Sequence, residues 1–359
     1  MNTKEIKNQA DTKAKQAPSI LVILMGSLGD VTRGLCLVDH IKSHWPDSTI
    51  TWLVESRWAD LVEFHPNLNR TIIFHRAWRM AAIWELYKQL KQHHFDIALD
   101  LQRILKSGLL SMMSGARRRI GFHRRNAKEL NWLFNNEHIE YFSDELPKLK
   151  HYLKFAEYLN LPEPKDLNFG FSMLDTQKSG PADLNNVRRP YVAVIMGSSW
   201  DSKDWFPEAY SQLALNLVKE HRLGIVLLGD RSQVKVAGQV EKNVKSPDVV
   251  NLAGKTTLLE LAAALKGAAI SVGPDSGPGH LAAAVGTPFV ALFGPTDPIR
   301  TAPYGSEDLV VRSEIHCSPC YKKQCPENHK QCIHNIEVAA VIDKIIQALT
   351  DRGIVSMNA

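Results

Sequence analysis

Two short runs, SILVILMG at 19–26 and YVAVIMG at 191–197, are apolar without interruption, end on a glycine and lead into helix-like sequence. A strand with one wet face would alternate polar and apolar residues. An unbroken run belongs to a strand buried on both faces, which is the habit of a parallel sheet with helices packed above and below it. Such a sheet binds its ligands at the carboxyl ends of its strands, so the glycine turns are where chemistry is expected.

The segments after each run repeat this architecture. Following the first come Thr32 to His44 (helix), STITWLVE (strand), a helical stretch near Trp58 to Phe64, RTIIFH (strand), Trp78 to His94 (helix) and FDIALDL (strand). Following the second come Pro207 to Glu220 (helix), GIVLLGD (strand), helices near Gln233 to Lys242 and Thr257 to Leu265, AAISVGPDSG, a helix from Pro278 to Val285 and TPFVALFG. This is the βαβ pattern of a doubly wound sheet, written twice. At 359 residues the chain also exceeds one ordinary core. The fold expected is therefore α/β with two doubly wound, Rossmann-like domains facing a central cleft.

Boundaries follow from composition. Residues 1–18 are polar and lack the apolar stretch of an export signal, which predicts a disordered tail and a cytoplasmic protein. The first domain spans 19–175, and a linker rich in Pro, Gly, Asn and Asp occupies 176–189. The second domain spans 190–359, its final helix lying near Ile336 to Thr350 with no preferred docking partner evident. Ser276 to Thr296 carries no formal charge, but Pro278, Gly286 and Pro288 divide it into a helix and a strand rather than a membrane span. A net charge of +5 suits anionic substrates or an anionic surface, and no nucleic-acid module accompanies it.

Five constellations carry the chemistry. In GSLGDVTRGL, Asp30 follows a glycine where the first strand meets the first helix; it is either a helix cap or a carboxylate poised to take a proton from an alcohol. The loop lacks both GxGxxG and a P-loop lysine, which argues against nicotinamide and ATPase chemistry. In MGSSWDSKDWFPEAY, Ser198, Ser199 and Lys203 offer hydroxyls and an ammonium to a phosphate, the alternative being a solvated loop. In ISVGPDSGPGHLAAAVGTP, the amides of Ser276 and Gly277 begin a helix with His280 one turn in, an arrangement made for a pyrophosphate; otherwise Asp275 is a cap and His280 a buried structural histidine. In HCSPCYKKQCPENHKQC, Cys317, Cys320, Cys325 and Cys332 fall together within segment 316–332, at a spacing that is neither a standard zinc finger nor a ferredoxin run. This leaves a structural zinc or reduced, packed thiols open. Last, ARRRIGFHRR and DLQRILKSG supply Arg117, Arg118, Arg119, Arg124, Arg125 and Lys106, either a solvated charge run or a landing area for an anionic acceptor.

Taken together, these motifs resemble glycosyltransferase family 9, the heptosyltransferases of the lipopolysaccharide inner core. The likeness rests on MGSLGDV, the DLQxxLKS segment, SSWDSKDWFPE, the DSGxxHLAAAxGTPxVALFGPT block and the cysteine-rich CSPCxxxxCPxxHxxC, and it covers nearly the whole chain after the tail. The resemblance implies a GT-B fold and an inverting displacement that needs no metal for catalysis. By the same resemblance Asp30 is the catalytic base, and Ser198, Ser199, Lys203, Asp275, Ser276, Gly277 and His280 bind the donor. Gln233 stands where the family often has a glutamate on the ribose. Gln102, Lys106 and Arg119 are candidate acceptor contacts. The implied partners are ADP-heptose and an anionic acceptor, Kdo-lipid A or its first heptose, at the inner membrane surface, with the protein cytoplasmic or peripheral on that face. Alternatives are a same-family enzyme with another nucleotide sugar or acceptor, a nucleotide-sugar binder without turnover, and a module organised by metal at the cysteines.

Overall fold

The computed structural model describes residues 17–75 and 80–355. Most of the expected polar tail, and Trp78 at the expected start of a helix, lie outside the described residues. The first sheet contains β1 (Ser19–Ile23), β2 (Thr49–Glu55), β3 (Arg70–Phe74), β4 (Ile97–Asp100), β5 (Arg118–Gly121) and β6 (Glu137–His138), in the order β3-β2-β1-β4-β5-β6. The second contains β7 (Tyr191–Ile195), β8 (Gly224–Leu228), β9 (Val249–Asn251), β10 (Ile270–Pro274), β11 (Phe289–Phe293) and β12 (Val310–Arg312), in the order β12-β11-β10-β7-β8-β9. Every pairing is parallel. Both sheets thus have the doubly wound order, with the reversal between the first and fourth strands of each.

The apolar runs behave as their composition requires. Ile20, Leu21, Val22 and Ile23 of β1 are wholly buried, as are Ile225, Val226, Leu227 and Leu228 of β8 and each residue of β11 to within 1%. Four strands, β5, β6, β9 and β12, were hidden in the sequence. β5 begins inside the arginine run, where exposed Arg118 pairs with Glu137 on neighbouring β6 at 2.7 Å and Arg119 is half-buried. β12 is three residues long and only half-buried, too short for periodicity to register.

The chain forms two compact units that do not follow a single cut. One is built from the described residues up to Met25, with 37–141 and 153–167; the other from 26–36, 142–152 and 168–359. The core of the first includes Leu21, Leu53, Phe74, Phe95 and Leu110. The core of the second includes Val194, Trp205, Tyr210, Leu227, Val272 and Leu292, and the final helix, Val338–Asp351, contributes Val341, Ile345 and Leu349 to it. That helix therefore belongs to the second unit. No helix among the described residues is long and apolar enough to cross a membrane.

Candidate functional site

The second unit collects the turn after β1 together with the turns after β7 and β10. β7 and β10 are the adjacent central strands where that sheet reverses, so their carboxyl ends open a crevice for a ligand. The first helix, Leu28–His44, starts earlier than its sequence suggested, which places Asp30 inside the first turn rather than at the cap. A carboxylate there is favoured by the helix N-terminus.

Asp30 is the hub of a charged cluster. Its Oδ1 accepts from Arg33 Nη2 at 2.6 Å and from the Tyr152 hydroxyl at 3.1 Å, with Lys148 Nζ 3.9 Å away; its Oδ2 accepts from Ser27 Oγ at 3.1 Å. Burial by itself would raise the proton affinity of this carboxyl. Arg33 and Lys148, with the bonds from Arg33 and Tyr152, outweigh burial and hold it well below the usual carboxylate range. Lys148 and Tyr152 come from one face of the helix Lys148–Tyr158, four residues apart.

At the other end of the cluster, Arg33 Nη1 lies 2.5 Å from His280 Nε2. Both residues are buried, each 7% exposed. A guanidinium only donates, so His280 Nε2 is the acceptor and the imidazole is neutral with its proton on Nδ1. Burial and the Arg33 charge both push the His280 pKa well below its ordinary value. The close approach depends on Gly29, where a Cβ would stand 2.8 Å from His280 Cδ2.

His280 lies on the helix Gly277–Ala284, whose first turn holds Pro278 and whose N-cap is Ser276. No side chain caps it, and Ser276 Oγ is buried without a hydrogen-bond partner among the described residues. Asp275 does not cap this helix. Its Oδ2 accepts instead from Lys203 Nζ and Thr296 Oγ1, both at 2.7 Å, and from Thr301 Oγ1 at 3.3 Å. Although burial opposes it, the Lys203 charge and the hydrogen bonds from Lys203 and Thr296 keep the Asp275 pKa low. Lys203 also donates to the Asp275 carbonyl at 3.2 Å and sits 4.5 Å over the Trp200 ring.

The remaining donor candidates surround this pair. Ser198 spends its amide on Asp204 and its hydroxyl on the Trp200 carbonyl, while Ser199 is exposed. Gln233 is buried over Gly197 and Gly229, where any Cβ would strike its side chain, and its Oε1 accepts from the Asp230 amide at 3.1 Å. Gln102, Lys106 and Arg119 lie in the first unit. The Gln102 Oε1 accepts from Met25 N–H at 2.8 Å, and Arg119 donates to the carbonyls of Phe134 and Ala116 at 3.1 Å each, so both shape backbone there; Lys106 is exposed.

The four clustered cysteines are free thiols that line one small cavity with Ser202 and His329. Among the described residues no group of three or more His, Cys, Asp or Glu side chains is disposed to hold a metal. The segment has a clear mechanical role: the carbonyls of Lys322 and Lys323 receive the Ser202 hydroxyl and amide, and Lys330 pairs with Asp201 at 2.6 Å. It braces the loop that carries Lys203.

Residues 83–331, more than half of the chain, match the model of glycosyltransferase family 9 (heptosyltransferase). The chain belongs to glycosyltransferase family 9. Among relatives of this family, it is 30% identical over 310 residues to the lipopolysaccharide core heptosyltransferase OpsX of Haemophilus influenzae, covering 82% of this chain and 85% of that protein. It is 30% identical over 318 residues to lipopolysaccharide heptosyltransferase 1 of Pseudomonas aeruginosa, covering 85% and 87%. In fold it is similar to the solved E. coli ADP-heptose lps heptosyltransferase II, with a TM-score of 0.77 at 21% identity over 93% of this chain and 99% of that one. A family 9 transferase is the enzyme class that the motifs of the sequence resembled.

The sequence had not assigned roles to Arg33, Lys148, Tyr152, Thr296 or Thr301. Arg33 was only part of the GSLGDVTRGL run, and Thr296 lay inside the FGPT block. Lys148 and Tyr152 carry no local signal, since Tyr152 reaches Asp30 across 122 residues of sequence.

Proposed function

We propose that this family 9 member is an inverting glycosyltransferase that moves heptose from ADP-heptose to a lipopolysaccharide inner-core acceptor, Kdo-lipid A or its first heptose. The relatives bearing lipopolysaccharide heptosyltransferase names, and the fold neighbour named for ADP-heptose, support the substrate class. The observation that carries the reaction is the convergence, in one unit, of a carboxylate held ionised at Asp30 with an uncapped helix N-terminus and the Lys203–Asp275 pair at the ends of β7 and β10.

In this mechanism the donor diphosphate takes the free amides at Ser276 and Gly277 and the ammonium of Lys203, with Ser198, Ser199 and Gln233 around it. Asp30 removes the proton from the acceptor hydroxyl as that oxygen attacks the anomeric carbon, and the bond to the departing ADP breaks on the opposite face. Negative charge grows on the leaving diphosphate, so Lys203 and the amides bind the transition state more tightly than the intact donor. Each such contact contributes on the order of 3 kcal/mol. Asp275 orients Lys203 and meets the sugar. Catalysis needs no metal, so transfer persists in EDTA. The acceptor is met at the cytoplasmic face of the inner membrane, with Lys106 and the neighbouring arginines of the first unit facing its anionic groups.

The test is transfer from ADP-heptose to Kdo-lipid A and to its heptosylated product, by wild type and by Asp30→Asn. Loss of roughly 10²- to 10⁴-fold in the variant, with donor still bound, is the expected result. Donor binding without transfer to either acceptor would require another acceptor, and failure to bind ADP-heptose would require another donor.

A further inference from the structure

Arg33 has a geometry that neither a solvated arginine nor a simple ion pair explains. It is buried, it donates to Asp30 with one nitrogen and to His280 with another, and its Nε is buried with no partner among the described residues. The planar guanidinium sets the spacing between these two partners, which are 250 residues apart in sequence, and a single ammonium could not satisfy both along the same directions. Gly29, by having no Cβ, lets the imidazole come close enough for the bridge to form.

We propose that Arg33 is a positioning residue of the transfer reaction, tying the Asp30 carboxylate to His280 and thereby fixing the base relative to the helix end that takes the donor diphosphate. This rests on the transferase function proposed above. Arg33 occupies Oδ1 of Asp30, so Oδ2, bonded only to Ser27 Oγ among the described side chains, is the oxygen that receives the proton. The acceptor O–H bond breaks toward Oδ2, the oxygen forms its bond to the anomeric carbon, and the electron pair of the broken glycosidic bond leaves with ADP. Neutral His280 accepts from Arg33 throughout and exchanges no proton.

The groups that set the titration of Asp30 are Arg33 on its own helix and Lys148 and Tyr152 on the helix Lys148–Tyr158; Arg33 in turn faces the Asp275 charge and the neutral His280 ring. Removing Arg33 takes away the nearest positive charge while burial remains. The Asp30 pKa then rises, and the acidic limb of kcat/KM moves to higher pH.

The experiment compares wild type, Arg33→Met, Arg33→Lys and Asp30→Asn in kcat, donor KM and the pH profile of kcat/KM. It also follows the Asp30 carboxyl by 13C NMR, assigned with Asp30→Asn. In Arg33→Met, kcat falls roughly 10²-fold, the cost of a misplaced group, donor KM changes little, and both the acidic limb and the Asp30 titration shift upward. Arg33→Lys returns much of the titration shift, because charge is restored, but little of kcat, because the bridge is not. An unchanged kcat and acidic limb in Arg33→Met overturns the proposal, and so does a drop in melting temperature with the limb unmoved. If Asp30→Asn keeps full transfer, the assignment of Asp30 as base fails instead. The NMR titration then decides Arg33 separately: an Asp30 carboxyl that titrates unchanged in Arg33→Met overturns its control of that carboxyl.

Discussion

Lys203 Nζ is bound twice by one residue, Asp275, through its carboxylate at 2.7 Å and its backbone carbonyl at 3.2 Å. The two side chains are 12% and 7% exposed, so this is a buried pair rather than a surface one. Lys203→Met leaves the Asp275 carboxylate buried without its cation and lowers stability by about 3–5 kcal/mol. It also lowers kcat/KM by roughly 10²- to 10³-fold, because a donor to the leaving group is gone. Chemical denaturation and steady-state kinetics check the two effects, and adding Asp275→Asn recovers part of the stability but none of the rate.

Gly29→Ala forces His280 aside, since the new methyl would meet the imidazole at 2.8 Å. Overpacking of this kind costs about 1–3 kcal/mol. The expected outcome is a fall in kcat of about 10- to 100-fold, with the first unit's unfolding transition unmoved. Kinetics with domain-resolved hydrogen exchange measures both.

His65, in the first unit, titrates in a way that reports on folding. It is 2% exposed, its Nδ1 accepts the Asn67 amide at 3.2 Å, and its Nε2 is buried without a partner among the described residues. Burial brings its pKa down to about 4, against an upward pull from Asp39. The unfolded chain takes up this proton below the ordinary histidine value and the folded chain does not, so stability is full at neutral pH and declines as pH falls from about 6.5 toward about 4. The loss is about 2 kcal/mol by pH 5. Urea unfolding at pH 7 and pH 5 shows it, and His65→Asn flattens the difference.

Lys266 donates to three backbone carbonyls, those of Phe171 and Leu174 at 2.8 Å and Ser172 at 3.0 Å. Lys266→Met leaves that segment unanchored and lowers the stability of the second unit by about 1.5–3 kcal/mol, the worth of a charged hydrogen-bonding group. The loss appears as faster amide exchange at residues 169–174.

Much of this was visible in the sequence because it is local. A buried parallel strand reads as an apolar run, a phosphate-binding helix start reads as glycines and a proline, and the capping box of Thr257 and Glu260 marks a helix start that was anticipated within one residue. What escaped depends on contacts between distant segments. Nothing around Tyr152 or Lys148 announces that their helix turns toward Asp30. Likewise β5 reads as a charge run because it is four residues long, and Arg118 finds its partner, Glu137, on a strand 19 residues away. Gln102 entered as a candidate acceptor contact through the DLQxxLKS resemblance, and the backbone contact that its Oε1 makes with the Met25 amide had no sign in the sequence.

The division of the chain into units has a practical meaning for anyone wishing to halve it. The Pro- and Gly-rich stretch before β7 looks like the natural place to cut, yet the turn at 26–36 and the segment at 142–152 pack with the residues that follow it. A polypeptide starting at 168 would keep Lys203, Asp275 and the helix Gly277–Ala284 while discarding Asp30, Arg33, Lys148 and Tyr152. His280 would lose its only side-chain hydrogen-bond partner among the described residues, and a surface meant to be covered would meet water. The place where this chain is easiest to sever is not where its working parts divide, and two co-expressed halves have to rebuild a shared hydrogen-bond network before either can act.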